Sequence, residues 1–258
     1  KMAMPKNLIL IRHGYSEANE LQSCNNRLIE ESVTIPDRAW RLTDKGIQQA
    51  KAIGTIFTDG RLAQIDSFFV SPYRRTIETA GHMNISKANW KLMRSIRERS
   101  WGDIDTLPKK IFKDEYPRNY SQHVHDPIYW TPPSGESIAG VAENRVANML
   151  TTLHREHAGE NVVLVTHHDF IQSTRLVLEN MTDEEFMNKV NDGTLDVPNG
   201  SALWYSRVDP FNGNLNKDIS HYRVIVPVLE NDQWVIKRGK WQPITQPTYT
   251  NDELLNWD

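Results

Sequence analysis

Three short apolar runs each end in residues able to handle a phosphate. Leu8–Ile11 is followed by Arg12-His13-Gly14, Ser67–Val70 by Ser71-Pro72-Tyr73-Arg74-Arg75, and Val162–Val165 by Thr166-His167-His168-Asp169. Together these groups could break a phosphate monoester without a metal. That reaction requires fixed cationic donors around the dianion, a nucleophile in line with the leaving oxygen, and an acid to protonate that oxygen. Arginine suits the first task because its planar fork pairs two phosphate oxygens and keeps its charge. A neutral imidazole, with a reference pKa of about 6.5, can attack at neutral pH and give a phosphohistidine that water hydrolyses. His13 is the candidate nucleophile, and Arg12, Arg75, His167 and His168 are candidate donors. Ser16 and Asn19 add donors at what reads as a helix start. Glu98, inside Arg97-Glu98-Arg99-Ser100-Trp101-Gly102, is the candidate acid. Its arginine neighbours are expected to lower its pKa, and a bound phosphate dianion to raise it again, so that the substrate protonates the acid.

The elements that must position these groups are legible in outline. Continuous apolar runs are how strands read when helices cover both faces of a sheet. Thr43 is placed to cap a helix reaching roughly Thr58, with Ile47, Ala50, Ile53 and Phe57 on one face. Ser137 is placed to cap a longer helix with Ile138, Val141, Arg145, Val146, Met149 and Leu153 at helical spacing, ending near Gly159. Glu136 reads as that helix's acidic flank. Helices alternating with buried strands imply a largely parallel sheet, whose ligands sit beyond the carboxyl ends of the strands. The three polar exits lie at such ends.

Two stretches depart from the alternation. Leu21–Arg41 reads as an irregular connection carrying Arg27, Arg38 and Arg41. Ile104–Pro133, rich in Pro, Tyr, Trp and His, reads as a cap insertion over the site, with His123 and His125 exposed to solvent. From Asn199 onward a strand is expected at Ala202–Tyr205, followed by a C-terminal extension over about 206–258 with a hairpin of Tyr222–Leu229 and Trp234–Lys237 turning at Glu230-Asn231-Asp232, and a short helix over Asp252–Trp257. Without a linker rich in Gly or Ser, the 258 residues are expected to form one domain.

Composition narrows the function classes. With 30 basic against 33 acidic side chains the net charge is -3, which offers no field for nucleic acid or a membrane surface. The one cysteine, Cys24, allows no intrachain disulfide and suggests a reducing compartment. No apolar run is long enough for a signal peptide or a bilayer span, so a cytoplasmic location is expected. The expected partner is a small phosphate ester, with no metal and no cofactor.

Five motifs in order carry a resemblance. Arg12-His13-Gly14-x-Ser16-x-x-Asn19, Leu42-Thr43-x-x-Gly46-x-x-Gln49-Ala50, Ser71-Pro72-x-x-Arg75-x-x-x-Thr79-Ala80, Ser134-Gly135-Glu136-Ser137 and Val163-Leu164-Val165-Thr166-His167 are similar to the signature of the histidine phosphatase superfamily, also called phosphoglycerate-mutase-like. The resemblance spans roughly residues 7–205. It implies a three-layer α/β/α sandwich with a mostly parallel sheet and one antiparallel edge strand. It also implies His13 as the phosphorylated nucleophile, Arg12, Arg75 and His167 in the phosphate pocket, Asn19 near it, and Glu98 as proton donor. Tyr15 stands where the family often has Glu and Ala18 where mutases usually carry Trp, and Arg99–Ile104 differs from the mutase run. These departures favour a phosphatase over a phosphoglycerate-type mutase. The acid-phosphatase branch uses a His-Asp pair, which makes Asp169 the alternative proton donor. A metallohydrolase built on His167, His168 and Asp169 is the reading from another class, disfavoured because adjacent side chains at a strand exit diverge.

Overall fold

The computed structural model describes all residues except 1–2, 24–34, 61, 63, 106, 108, 246 and 257–258, so Cys24, Arg27 and Trp257 lie outside the described residues. In chain order the main elements are β1 (Asn7–Arg12), α1 (Glu17–Ser23), α2 (Asp44–Gly54), β2 (Ser67–Val70), α3 (Arg74–His82), β3 (Trp90–Leu92), α4 (Lys109–Glu115) and α5 (Pro117–His125). Next comes α6, made of Ile138–Gly140, a π-helical turn over Val141–Val146, and Ala147–Glu156. Then follow β4 (Asn161–Thr166), α7 (His168–Leu178), α8 (Asp183–Asn191), β5 (Ala202–Ser206), β6 (His221–Glu230), β7 (Gln233–Arg238), β8 (Gln242–Pro243) and α9 (Asn251–Leu255).

The sheet runs in the order β3-β2-β4-β1-β5-β6-β7, with β8 paired to β6. Strands β3, β2, β4 and β1 are mutually parallel, and β5 is antiparallel to β1. The fold is therefore the expected α/β sandwich. The antiparallel strand, however, is not the edge. It is extended by the β6–β7 hairpin, whose turn residues Asn231 and Asp232 both take positive φ (48° and 59°), as a two-residue hairpin turn requires.

Alternation along the buried strands makes three layers. Leu8, Leu10, Val162, Leu164, Leu203 and Tyr205 point to α6 and α7, where they meet Val146, Met149, Leu153, Phe170 and Ile171. Ile9, Ile11, Val163, Val165, Ala202 and Trp204 point to the opposite face, against Ala50, Ile53 and Ile56 with Ala80 and Met83. Strands buried on both faces have no polar side, which is why their sequences do not alternate. Thr43 accepts from the Gly46 N–H and Ser137 from the Gly140 N–H, so both expected caps form.

Two devices hold the catalytic edge of this sheet. The turn after β1 lies directly on the first turn of α2. A Cβ on Gly14 would stand 2.4 Å from the Gly46 carbonyl oxygen, and one on Gly46 would stand 2.1 Å from the Tyr15 carbonyl oxygen. The second device is Arg175, 1% exposed, whose Nε donates to Glu179 Oε1 at 2.7 Å. Its Nη1 donates to the carbonyls of Thr194 and Leu195, both at 2.9 Å, and thereby pins the loop that precedes β5. Glu179 also accepts from the Tyr205 hydroxyl at 2.8 Å.

Both devices give measurable costs. Gly46→Ala forces backbone against backbone, and the denaturant midpoint should fall by the equivalent of about 1–3 kcal/mol. Glu179→Ala leaves Arg175 charged and buried without its partner, and should cost about 3–5 kcal/mol in the same measurement.

Candidate active site

Chemistry-bearing side chains arrive from the carboxyl ends of four parallel strands. β1 delivers Arg12 and His13, β2 delivers Ser71 and, one turn on, Arg75. β3 leads through a short 3₁₀ turn (Arg94–Ile96) to Glu98, and β4 delivers His167, His168 and Asp169. The β3 contribution was not foreseen, because a three-residue, half-exposed strand leaves no apolar run to read.

His13 is 3% exposed. Its Nδ1 lies 2.8 Å from the Gly14 carbonyl oxygen, which can only accept, so Nδ1 carries the proton. Its Nε2 accepts from Arg75 Nε at 3.2 Å. Both contacts select the tautomer with a lone pair on Nε2. Burial, then the charges of Arg75 and Arg12, push the imidazole pKa well below its ordinary value, so the ring is neutral. The Asn199 side chain and the Gly200 N–H donate to the His13 carbonyl, at 3.2 and 3.0 Å, and fix the backbone behind the ring.

His167 is fully buried, with its ring centroid 5.3 Å from that of His13. Its Nε2 lies 2.8 Å from Ser71 Oγ. With the serine hydroxyl donating, the His167 proton sits on Nδ1. Burial and then Arg75 lower its pKa as well. His167 Nδ1 and Arg12 Nε are buried nitrogens with no hydrogen-bond partner among the described residues. Buried donors are seldom left so.

Each arginine around the site is held by an acid. Arg75 Nη1 and Nη2 reach Asp37 Oδ1 and Oδ2 at 2.9 and 3.2 Å, and Nη1 also reaches the Asp37 carbonyl at 2.6 Å. Arg12 Nη1 donates to the Val197 carbonyl at 2.8 Å and to Asp196 Oδ1 at 3.4 Å. Asp196 also meets His168 Nδ1 at 3.3 Å, so His168 stands beside Arg12 rather than against His13. Arg74 pairs with Glu78 on the surface. Ser16 Oγ donates to Asn19 Oδ1 at 2.9 Å, and Asn199 Nδ2 donates to the same oxygen, so Ser16 and Asn19 form a bracket behind the first turn.

Glu98 corrects one expectation. Its flanking arginines do not set its ionisation. Arg97 reaches Glu136 and Arg99 reaches Asp169, at 3.1 and 2.7 Å. Glu98 is instead half-buried, with Oε1 accepting from the backbone N–H groups of Arg99 and Asp169 at 2.9 and 3.2 Å. Burial first, then the charge of Asp169, raise its pKa to about 7. Asp169 goes the other way: burial would raise it, but the ion pair with Arg99 brings it below the ordinary carboxylate value. Two neighbouring acids thus have separated ionisations. Asp169 paired to Arg99, His167 facing Ser71 and His168 facing Asp196 do not converge on one point. No group of three or more potential metal ligands occurs among the described residues.

Sequence reasoning missed the supports of the acid. Glu136 is more than a helix flank: its Oε2 accepts from the Ser100 N–H at 3.0 Å and from Arg145 at 2.8 Å. Arg145 also donates to the carbonyls of Arg97 and Glu98. It sits in the π-helical turn of α6, and such turns are frequent at functional sites. In the 104–133 segment, His123 is half-buried rather than solvent-exposed, its ring tilted at 49° to that of Trp130 with the centroids 4.7 Å apart. His125 is exposed.

Comparison with known proteins bears on the family and the fold. The model of the histidine phosphatase superfamily (branch 1) matches residues 8–194. A 2,3-bisphosphoglycerate-dependent phosphoglycerate mutase of Allorhizobium ampelinum is 28% identical over 194 residues, 72% of this chain and 85% of that protein. Among solved structures, the alpha-ribazole phosphatase of Shigella flexneri superposes with a TM-score of 0.62 at 20% identity, covering 83% of this chain and 98% of that one. The mycobacterial glucosyl-3-phosphoglycerate phosphatase gives 0.61 at 19% identity, over 78% and 92%. The chain belongs to the histidine phosphatase superfamily.

Proposed function

We propose that this protein is a phosphatase that hydrolyses small phosphate monoesters through a phosphohistidine on His13, without a metal ion. The observation that carries the reading is the buried, neutral His13 ring. Its Nδ1–H is tied to the Gly14 carbonyl and its Nε2 lone pair is turned to Arg75.

The steps follow from the groups present. The substrate phosphoryl group lies among Arg12, Arg75 and His167, whose two unpaired buried nitrogens gain anionic oxygens as partners. His13 Nε2 attacks phosphorus while the ester P–O bond breaks. Glu98, uncharged below about pH 7, gives its proton to the leaving alkoxide. Water then attacks phosphorus, Glu98 takes the water's proton, the P–N bond breaks, and phosphate leaves with the enzyme restored. Asp169 is the weaker candidate for the acid because its pairing with Arg99 keeps it ionised. Asn19, Ser16 and His168 act behind or beside the phosphate pocket.

A mutase reading is favoured by one observation, the 28% identity to a phosphoglycerate mutase. Tyr15 stands where the family often has Glu. Its hydroxyl bonds within α1, to the Asn19 carbonyl at 3.2 Å. With 3-phosphoglycerate as substrate, free phosphate is the expected product, and 2-phosphoglycerate would overturn the hydrolase assignment.

Turnover of an aryl phosphate should persist in EDTA and fall by at least about 10³-fold in His13→Ala, with loss of the acid-labile phosphoprotein seen after a rapid quench. Because Glu98 must be protonated to act and its pKa lies near 7, kcat/KM for an alkyl phosphate should decline as pH rises through that value. Glu98→Gln should lower kcat/KM by about 10²- to 10⁴-fold and abolish that decline. A profile unchanged by the substitution would remove Glu98 from the mechanism.

A further inference from the structure

Arginine offers two edges that each present a pair of parallel donors: the terminal edge, Nη1 with Nη2, and the lateral edge, Nε with Nη2. In Arg75 the two edges face different groups. The terminal edge is taken by Asp37, whose carboxylate accepts from both terminal nitrogens and whose carbonyl accepts from Nη1 as well. The lateral edge faces the nucleophile, with Nε 3.2 Å from His13 Nε2. Asp37 sits on a single 3₁₀ turn, Asp37–Ala39, closed by the Ala39 N–H on the Pro36 carbonyl at 2.8 Å. Arg75 is 4% exposed and lies against the Tyr73 ring, its guanidinium carbon 5.1 Å from the ring centroid.

We infer that Asp37 is the positioning residue of the phosphate pocket: by occupying the terminal edge of Arg75 it turns the lateral edge onto His13, where the transferred phosphoryl group must sit. This rests on the phosphatase reading above. A carboxylate beside a phosphate pocket would be a competitor if it used the donors the phosphate needs. Here it uses the other pair. It also supplies a counter-charge that offsets the cost of burying a guanidinium. The arrangement does the work of an outer-shell carboxylate in a metal site, orienting the group that touches substrate without touching substrate itself.

Two variants and three readouts test this. Asp37→Ala removes both oxygens. Asp37→Asn keeps one oxygen for a terminal nitrogen but no charge, and guards against a failure of the alanine variant to fold. Circular dichroism melting of both establishes folding. With an aryl phosphate and EDTA, Asp37→Ala should lower kcat/KM by about 10²-fold, the scale for a misplaced donor, with a smaller loss in Asp37→Asn. Inorganic phosphate, titrated by calorimetry, should bind more weakly to both. The third readout is charge. Glu98 is faced by Asp169, Asp37, Arg75, Arg12, Arg145 and Tyr73. Loss of one negative neighbour should move the decline of kcat/KM to lower pH in both variants, which reports that Asp37 faces Glu98, while the loss of phosphate affinity reads its hold on Arg75. Unchanged activity, or tighter phosphate binding with a lower KM, would overturn the inference and make Asp37 a plug that substrate displaces. If the wild type binds phosphate but hydrolyses no ester, the phosphatase reading fails while the phosphate affinities still decide the role of Asp37. If the wild type does neither, both fall.

Discussion

A neutral imidazole packed against guanidinium groups is the constraint on which the remaining structure depends. Burial, and then the charges of Arg75 and Arg12, keep His13 unprotonated and leave a lone pair on the ring. The same positive charge is costly to bury, and the protein meets that cost one arginine at a time. Arg75 has Asp37, Arg12 has Asp196, Arg99 has Asp169, and Arg145 has Glu136. Among the described residues of this cluster, Glu98 is the acid with no arginine ion pair, and it is the one whose ionisation moves up toward neutrality. Separating a proton carrier from counter-ions therefore needs no special residue type. It needs only that every other carboxylate be committed.

That bookkeeping of charge explains what sequence could and could not reveal. The strands at Leu8, Ser67 and Val162 were legible because strands buried on both faces are continuous apolar runs. The sheet carries their exits to one edge whatever the intervening segments do. The helix caps at Thr43 and Ser137 were legible because capping is a local matter. Asp37 was not legible: its role exists only because the chain returns to α3 after a long connection. Glu98 was found as a residue and misjudged as an acid. Arg97, its neighbour, has an extended backbone, and adjacent side chains on extended backbone leave on opposite sides. Nearness in sequence was mistaken for nearness in space. The helices α4 and α5 hid for a related reason, since their contacts are an aromatic cluster of Phe112, Trp101, Trp130 and Tyr120 rather than a periodic stripe.

The sheet also divides the molecule by task. Its parallel half supplies the reactive groups, and the antiparallel half braces them. The loop into β5 gives Val197 O to Arg12 and the Asn199 amide to the His13 carbonyl, and it is itself pinned by the Arg175–Glu179 pair. One buried ion pair thus reaches Arg12 and His13 through two carbonyls and a short loop.

The π-helical turn of α6 has a consequence for how this chain tolerates changes of length. Before the turn, Ile138 and Ala139 pack with Ile128, Phe186 and Leu195. After it, Met149 and Leu153 pack on the sheet. Removing one residue from within Val141–Val146 would let ordinary helical hydrogen bonds run straight through, and the two flanks would keep nearly the same rotational phase, because a π-turn holds one residue more than an α-helix turning through the same angle. Ile138 and Ala139 on one side, and Met149 and Leu153 on the other, would keep their seats. The change would fall on the turn itself, where Arg145 donates to the Glu98 carbonyl. The turn is a point of slack, where the helix can give up one residue without disturbing the packing at either end.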